Sequence, residues 1–95
     1  MNAARWSRLP DALWRRSLDA VIVLGTSSPE PVTLSATAPE VWELLATPTT
    51  FRDLVLELSR RHAGDPATVE PDVEALLARL ADLGAVSSTP ADAAS

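Results

Sequence analysis

Apolar residues fall in short, β-branched or alternating runs over the first third of the chain, then recur every three to four positions. Leu13 to Ser17 and Ala20 to Leu24 are two such runs, separated only by Leu18-Asp19. The second, AVIVL, is apolar on both faces, as the central strand of a small sheet must be. Gly25 to Pro31 (GTSSPEP) consists of turn formers and reads as a loop. Pro31 to Ser35 is a third extended run. Its leading proline suits the first position of an edge strand, where no ladder donor is needed.

From Thr37 onward the period is helical. Thr37-Ala38-Pro39-Glu40 has the form of a capping box with proline in the first turn, and Ala38, Val41, Trp42 and Leu45 make one apolar stripe. Thr47-Pro48-Thr49 ends that helix. A second starts near Thr50, with Asp53 three positions on. It buries Phe51, Leu54, Val55 and Leu58, spaces Glu57 and Arg61 to pair at i,i+4, and stops at Gly64. Pro71 opens a third helix carrying Val73, Leu76, Leu77, Leu80 and Leu83, and Gly84 closes it. Ala85-Val86 reads as a short extended piece. Strands followed by helices predict an α+β fold, a three-stranded antiparallel sheet followed by three helices, which is also the outline of a winged helix-turn-helix. The expected organisation is an N-terminal arm over 1–11 with Trp6 as a candidate anchor, a folded domain over 12–86, and a disordered tail over 87–95.

Composition narrows the function. Ninety-five residues allow one small domain, and the absence of cysteine excludes disulfides, thiol nucleophiles and cysteine metal sites. No apolar run approaches a membrane span and the first residues lack the pattern of a signal peptide, so the expectation is a cytoplasmic protein without a membrane partner. The net charge of −5 is unevenly spread: residues 1–20 carry a local +2, whereas residues 64–95 hold Arg79 alone against six carboxylates. All eight basic residues are arginine and sixteen residues are alanine, a bias of the kind that genomic base composition produces. An acidic surface repels a phosphate backbone.

Catalytic chemistry finds no foothold. His62, the single histidine, sits at the end of the second helix, where an imidazolium complements the helix dipole. Glu70, Asp72 and Glu74 occupy successive even positions of a helix, diverge in direction, and sit where acidic residues favour a helix start. No serine or threonine lies in a nucleophile-elbow or phosphate-loop context. No catalytic residue, metal ligand or cofactor is therefore expected. Trp42 belongs to the core stripe. Trp14, beside Arg15 and Arg16, reads either as core or as half-exposed at a peptide-binding surface.

The stretch from Trp14 to Val86 resembles the PqqD-like peptide chaperones, or RiPP recognition elements. Four segments carry the likeness in order: VIVLG after a hairpin-like pair, VTLSATAPEVWELL, TFRDLVLELSRRHAG, and an Asp72-Val73 helix with Leu76, Leu77, Leu80 and Gly84. One departure is Leu34-Ser35, where many members have Leu-Asn.

The resemblance implies a non-catalytic domain that binds the leader of a ribosomally made precursor. It implies delivery to a modifying enzyme such as a radical SAM protein, a leader peptidase or a cyclase. The leader would add as a strand to the edge Pro31, Val32, Thr33, Leu34, Ser35 and lie against the third helix at Asp72, Ala75, Leu76, Arg79 and Leu83. A monomer, or a weak homodimer through the same edge, is expected. Two rival readings are a winged helix-turn-helix DNA-binding regulator, which the charge opposes, and a non-catalytic accessory subunit of a larger enzyme.

Overall fold

The computed structural model describes residues 4–27 and 29–89. In chain order the elements are β1 (Arg5–Arg8), β2 (Leu13–Ser17), β3 (Ala20–Leu24), β4 (Val32–Leu34), α1 (Ala38–Leu44), β5 (Thr49–Thr50), α2 (Phe51–His62), α3 (Pro66–Asp82) and β6 (Val86–Thr89). The expected three-stranded sheet forms as β2-β3-β4, all antiparallel, and the three helices follow it. This is the α+β, winged-helix-like arrangement that the hydrophobic pattern predicts.

Register sorts the sheet residues. Trp14 faces Val23, Arg16 faces Val21, and Val21 and Val23 face Leu34 and Val32. Directly opposed residues share a face, so these side chains form the inner surface. Val21, Val23 and Leu34 are buried there with Trp42, Leu45, Leu54 and Leu80. The outer surface keeps Leu13 opposite Leu24, with Leu13 65% exposed.

A second sheet, β5-β1-β6, has no counterpart in the pattern-based reading. Arg5–Arg8 of the expected arm pairs with Thr49–Thr50 on one side and with Val86–Thr89 on the other. Residues 87–89, read from sequence as the start of a tail, are thus strand; residues 90–95 lie outside the described residues. Neither RWSR nor VSST alternates in hydrophobicity, and each is a strand only because the other satisfies its backbone groups across the whole length of the chain.

Arg8 fixes this second sheet to the first. Its guanidinium lies 4.7 Å from the Trp14 ring centroid and 4.8 Å from that of Trp42. It donates to the Trp42 carbonyl from Nε at 2.8 Å and from Nη2 at 2.5 Å. The two rings meet edge to face, their centroids 6.0 Å apart. Burial holds the Arg8 pKa below its ordinary value, and the ring faces and carbonyl stand in for lost water. Trp14 is accordingly 43% exposed yet packed edge to face on the core tryptophan.

The helix ends differ from expectation at three places. Thr37 sits in helical geometry and its side chain makes no capping bond, so no capping box forms. α3 starts at Pro66 instead of Pro71: Asp65 accepts from the Ala67 amide at 3.0 Å, and Pro66 occupies the first turn, where its missing donor costs little. Pro71 is carried inside the helix on an exposed position. At the end of α2 the left-handed residue is Ala63 (φ 52°), one before Gly64, whose amide donates to the Ser59 carbonyl at 3.0 Å. The Thr50 cap, accepting from the Asp53 amide at 3.0 Å, is as expected.

α3 ends in a Schellman arrangement: Gly84 (φ 75°) donates to Ala81 and Ala85 donates to Leu80. The β3–β4 loop closes onto this turn. Thr26 and Ser27 amides donate to the Gly84 and Leu83 carbonyls at 3.1 and 3.0 Å. A Cβ at Gly25 would lie 1.9 Å from the Leu83 carbonyl oxygen, so only glycine permits the approach.

Gly25→Ala is therefore expected to cost about 3 kcal/mol or more, read as a loss of denaturation free energy. Ala63→Gly removes a side chain from left-handed backbone and is expected to stabilise the chain by about 0.5–1 kcal/mol in the same measurement.

Candidate peptide-binding groove

β4 pairs with β3 through Val32↔Val23 and Leu34↔Val21, and its other edge has no strand partner among the described residues. Leu34 is buried in the core, Val32 is half-buried against it, and Pro31, Thr33 and Ser35 are exposed. The Ser35 carbonyl accepts from the Ala38 amide at 3.1 Å, turning the chain into α1 at the end of the strand. β2, the opposite edge of the sheet, carries Arg15 and Arg16, charges of the kind that blunt strand addition. Arg16 there forms an ion pair with Glu43.

On α3, Val73, Leu77 and Leu80 are the buried row. Helical phase puts Asp72, Leu76, Arg79 and Leu83 along one flank of that row, at i, i+4, i+7 and i+11. This is the flank toward α1 and the end of β4. Asp72 and Leu76 line a cavity of about 130 Å³ together with Thr37, Val41, Leu58 and His62. At the other end of the flank the Leu83 carbonyl is held by the Ser27 amide. Arg79 is exposed between them.

Ala75 is turned away. It lines a shallow hollow on the outer side of α3 with Glu70, Pro71 and Glu74, because burying Val73 and Leu77 rotates position 75 outward. The structure thus groups Asp72 and Leu76 with Thr37 and separates Ala75 from them.

Glu40 and Arg61, which no local pattern marks as site residues, stand beside the groove, and His62 does more there than complement the helix dipole. His62 Nε2 lies 2.6 Å from Glu40 Oε2, and Arg61 approaches Glu40 Oε1 at 3.5 Å. Arg61 also bonds Glu57 at 2.7 Å, and Arg60 bonds the same carboxylate at 2.6 Å. The end of α2 is thereby clasped to the start of α1 beside the cavity. Glu40 serves this clasp in place of a capping box. The i,i+4 spacing of Glu57 and Arg61 was the legible signal; the Glu40 contacts reach Arg61 and His62, far along the chain, and had none.

Hydrogen bonds from Arg60 and Arg61 hold the Glu57 carboxyl well below the glutamate value of 4.5, at about 2. No group of three or more metal-ligating side chains occurs among the described residues. No described helix is long and apolar enough to cross a membrane.

A small sheet followed by three helices, with a free strand edge beside a helix flank, is the arrangement expected of the resemblance. The family model described as coenzyme PQQ synthesis protein D (PqqD) matches residues 20–86. The chain belongs to the PqqD family. No curated protein and no solved structure matches the chain. The PqqD match begins at β3 and ends at the first residue of β6, so β1 and β2 are contributed outside it. The PqqD domain is a non-catalytic accessory and chaperone domain, and membership supports a leader-peptide-binding role in natural-product biosynthesis. PqqD-family domains bind precursor peptides and work with biosynthetic enzymes.

The depressed Glu57 value sets the sign of a pH effect. Its contribution to stability is complete above pH 4.5 and is lost as pH falls toward about 2. Denaturation of the wild type and of Glu57→Gln from neutral pH to pH 2 is expected to show a stability difference that shrinks through this window.

Proposed function

We propose that this PqqD-family chain holds a leader peptide as an added strand on β4, against the Asp72–Leu83 flank of α3, and presents the attached precursor to a modifying enzyme. The observation that carries the reading is the edge of β4, which has no strand partner among the described residues, beside a helix flank with a largely apolar cavity. Backbone groups of Pro31 to Ser35 supply affinity without regard to sequence, and Asp72, Leu76, Arg79 and Leu83 supply side-chain discrimination. Ala75 belongs to the outer face and takes no part.

By analogy with the family, the enzyme served is one such as a radical SAM protein, a leader peptidase or a cyclase. The encounter takes place in the cytoplasm, where ribosomes release the precursor. The chain works as a monomer, since pairing two copies through β4 would occupy the edge that the leader needs. DNA is not the ligand: α3 presents Glu70, Asp72, Glu74 and Asp82 against Arg79 alone.

Adding the cognate precursor is expected to shift the backbone amides of Val32 to Ser35, with saturation below a Kd of about 1 mM. Removing its leader abolishes the shifts. Equal binding with and without the leader, or shifts confined to the outer face of α3, would overturn the reading.

A further inference from the structure

We propose that the groove reads a charge order in the peptide: a basic residue, an aliphatic residue two positions later, and an acidic residue two positions after that. The inference rests on the assignment of β4 and α3 as the peptide site.

Asp72, Leu76 and Arg79 stand along one flank of α3. At 1.5 Å rise per residue, Leu76 lies about 6 Å and Arg79 about 10.5 Å beyond Asp72 along the axis. Side chains on one face of an extended strand repeat every ~6.6 Å, so alternate residues fall at about 0, 6.6 and 13 Å. The first two spacings match. The third differs by ~3 Å, within the sweep of an arginine side chain.

Each position has its own chemistry. Asp72 has no ion pair among the described residues, whereas Glu40, the carboxylate that contacts the cavity residue His62, is engaged by His62 and Arg61. A peptide cation arriving there meets Asp72 as the open partner. Leu76 borders the cavity of about 130 Å³ with Val41 and Leu58 beneath. That volume is close to the ~150 Å³ apolar cavity that admits a benzene ring, and so accepts one aliphatic side chain. Arg79 is exposed with no ion pair among the described residues and presents the single positive charge of α3.

Direction follows from the ends of the groove. Asp72 shares its cavity with Thr37, just past the C-terminal end of β4, while Leu83 sits against the loop that precedes β4. A strand running antiparallel to β4 enters at Asp72, so the basic residue comes first. Every strand pairing described in this chain is antiparallel, the slightly more stable mode.

The test is selection of a displayed library of random short peptides on the full chain, followed by amide-shift mapping with the enriched peptides. The expected consensus is basic-x-aliphatic-x-acidic, read from the peptide N-terminus. Asp72→Lys or Arg79→Glu weakens an enriched peptide about tenfold or more, and reversing the matching peptide charge restores binding. Circular dichroism checks that these exposed substitutions leave the fold intact. Enriched peptides that shift Val32 to Ser35 without this charge order, or with the reverse order, overturn the inference and leave strand addition standing. Enrichment no greater than on an empty support, or peptides that leave the β4 amides unmoved, overturns the assignment of the groove and the charge order with it.

Discussion

The close approach of two backbone segments, the β3–β4 loop and the end of α3, is the constraint on which the remaining geometry depends. Gly25 has no room for a side chain because the Leu83 carbonyl oxygen occupies its place, and Gly84 turns back through left-handed backbone to bring that carbonyl there. Three hydrogen bonds, from the Thr26 and Ser27 amides and the Thr26 hydroxyl, close the contact. With its C-terminal end held against the loop that leads into β4, α3 must run along the sheet with one flank toward that strand. The groove is what remains between a fixed helix and a strand edge that has no strand partner among the described residues.

Charge is used differently in the three parts of the molecule. Arg8 is taken partly out of water between two tryptophans and satisfied by a backbone carbonyl, an arrangement that fastens β1 to the rest of the fold. Arg61 and His62 clasp α2 to α1 through Glu40. The net negative charge is left on α3 and around it, facing solvent. A domain of this size without cysteine, and with its single histidine committed to a clasp, offers surface and backbone edge.

Much of the candidate site could be read from local pattern. The edge strand followed from Pro31 and the alternation after it, and the flank of α3 from the phase of Val73, Leu77 and Leu80. Ala75 was grouped with that flank because phase defines a stripe only to within one position, and the packing of α3 on α2 decided the rotation. Thr37, Glu40 and His62 reach the groove through contacts between elements far apart in sequence, and no residue spacing encodes such contacts. The start of α3 was legible in principle: Asp65-Pro66 is a capping residue followed by proline at the first turn. The second proline, Pro71, obscured it because proline favours the first turn of a helix and removes a hydrogen bond in its interior.

By itself the sequence determined the elements whose hydrophobic residues recur at a fixed period: the three strands of the β2-β3-β4 sheet and the buried stripes of all three helices. These depend on burying apolar side chains, which local spacing records. Tertiary structure alone decided the second sheet. RWSR and VSST carry almost no apolar pattern, and become strands only when folding brings the two ends of the chain together. It also decided that the Leu83 carbonyl fills the place of a Gly25 side chain, and hence where the groove lies. Backbone hydrogen bonds between distant segments leave no trace in residue type, apart from the glycines that let the segments meet.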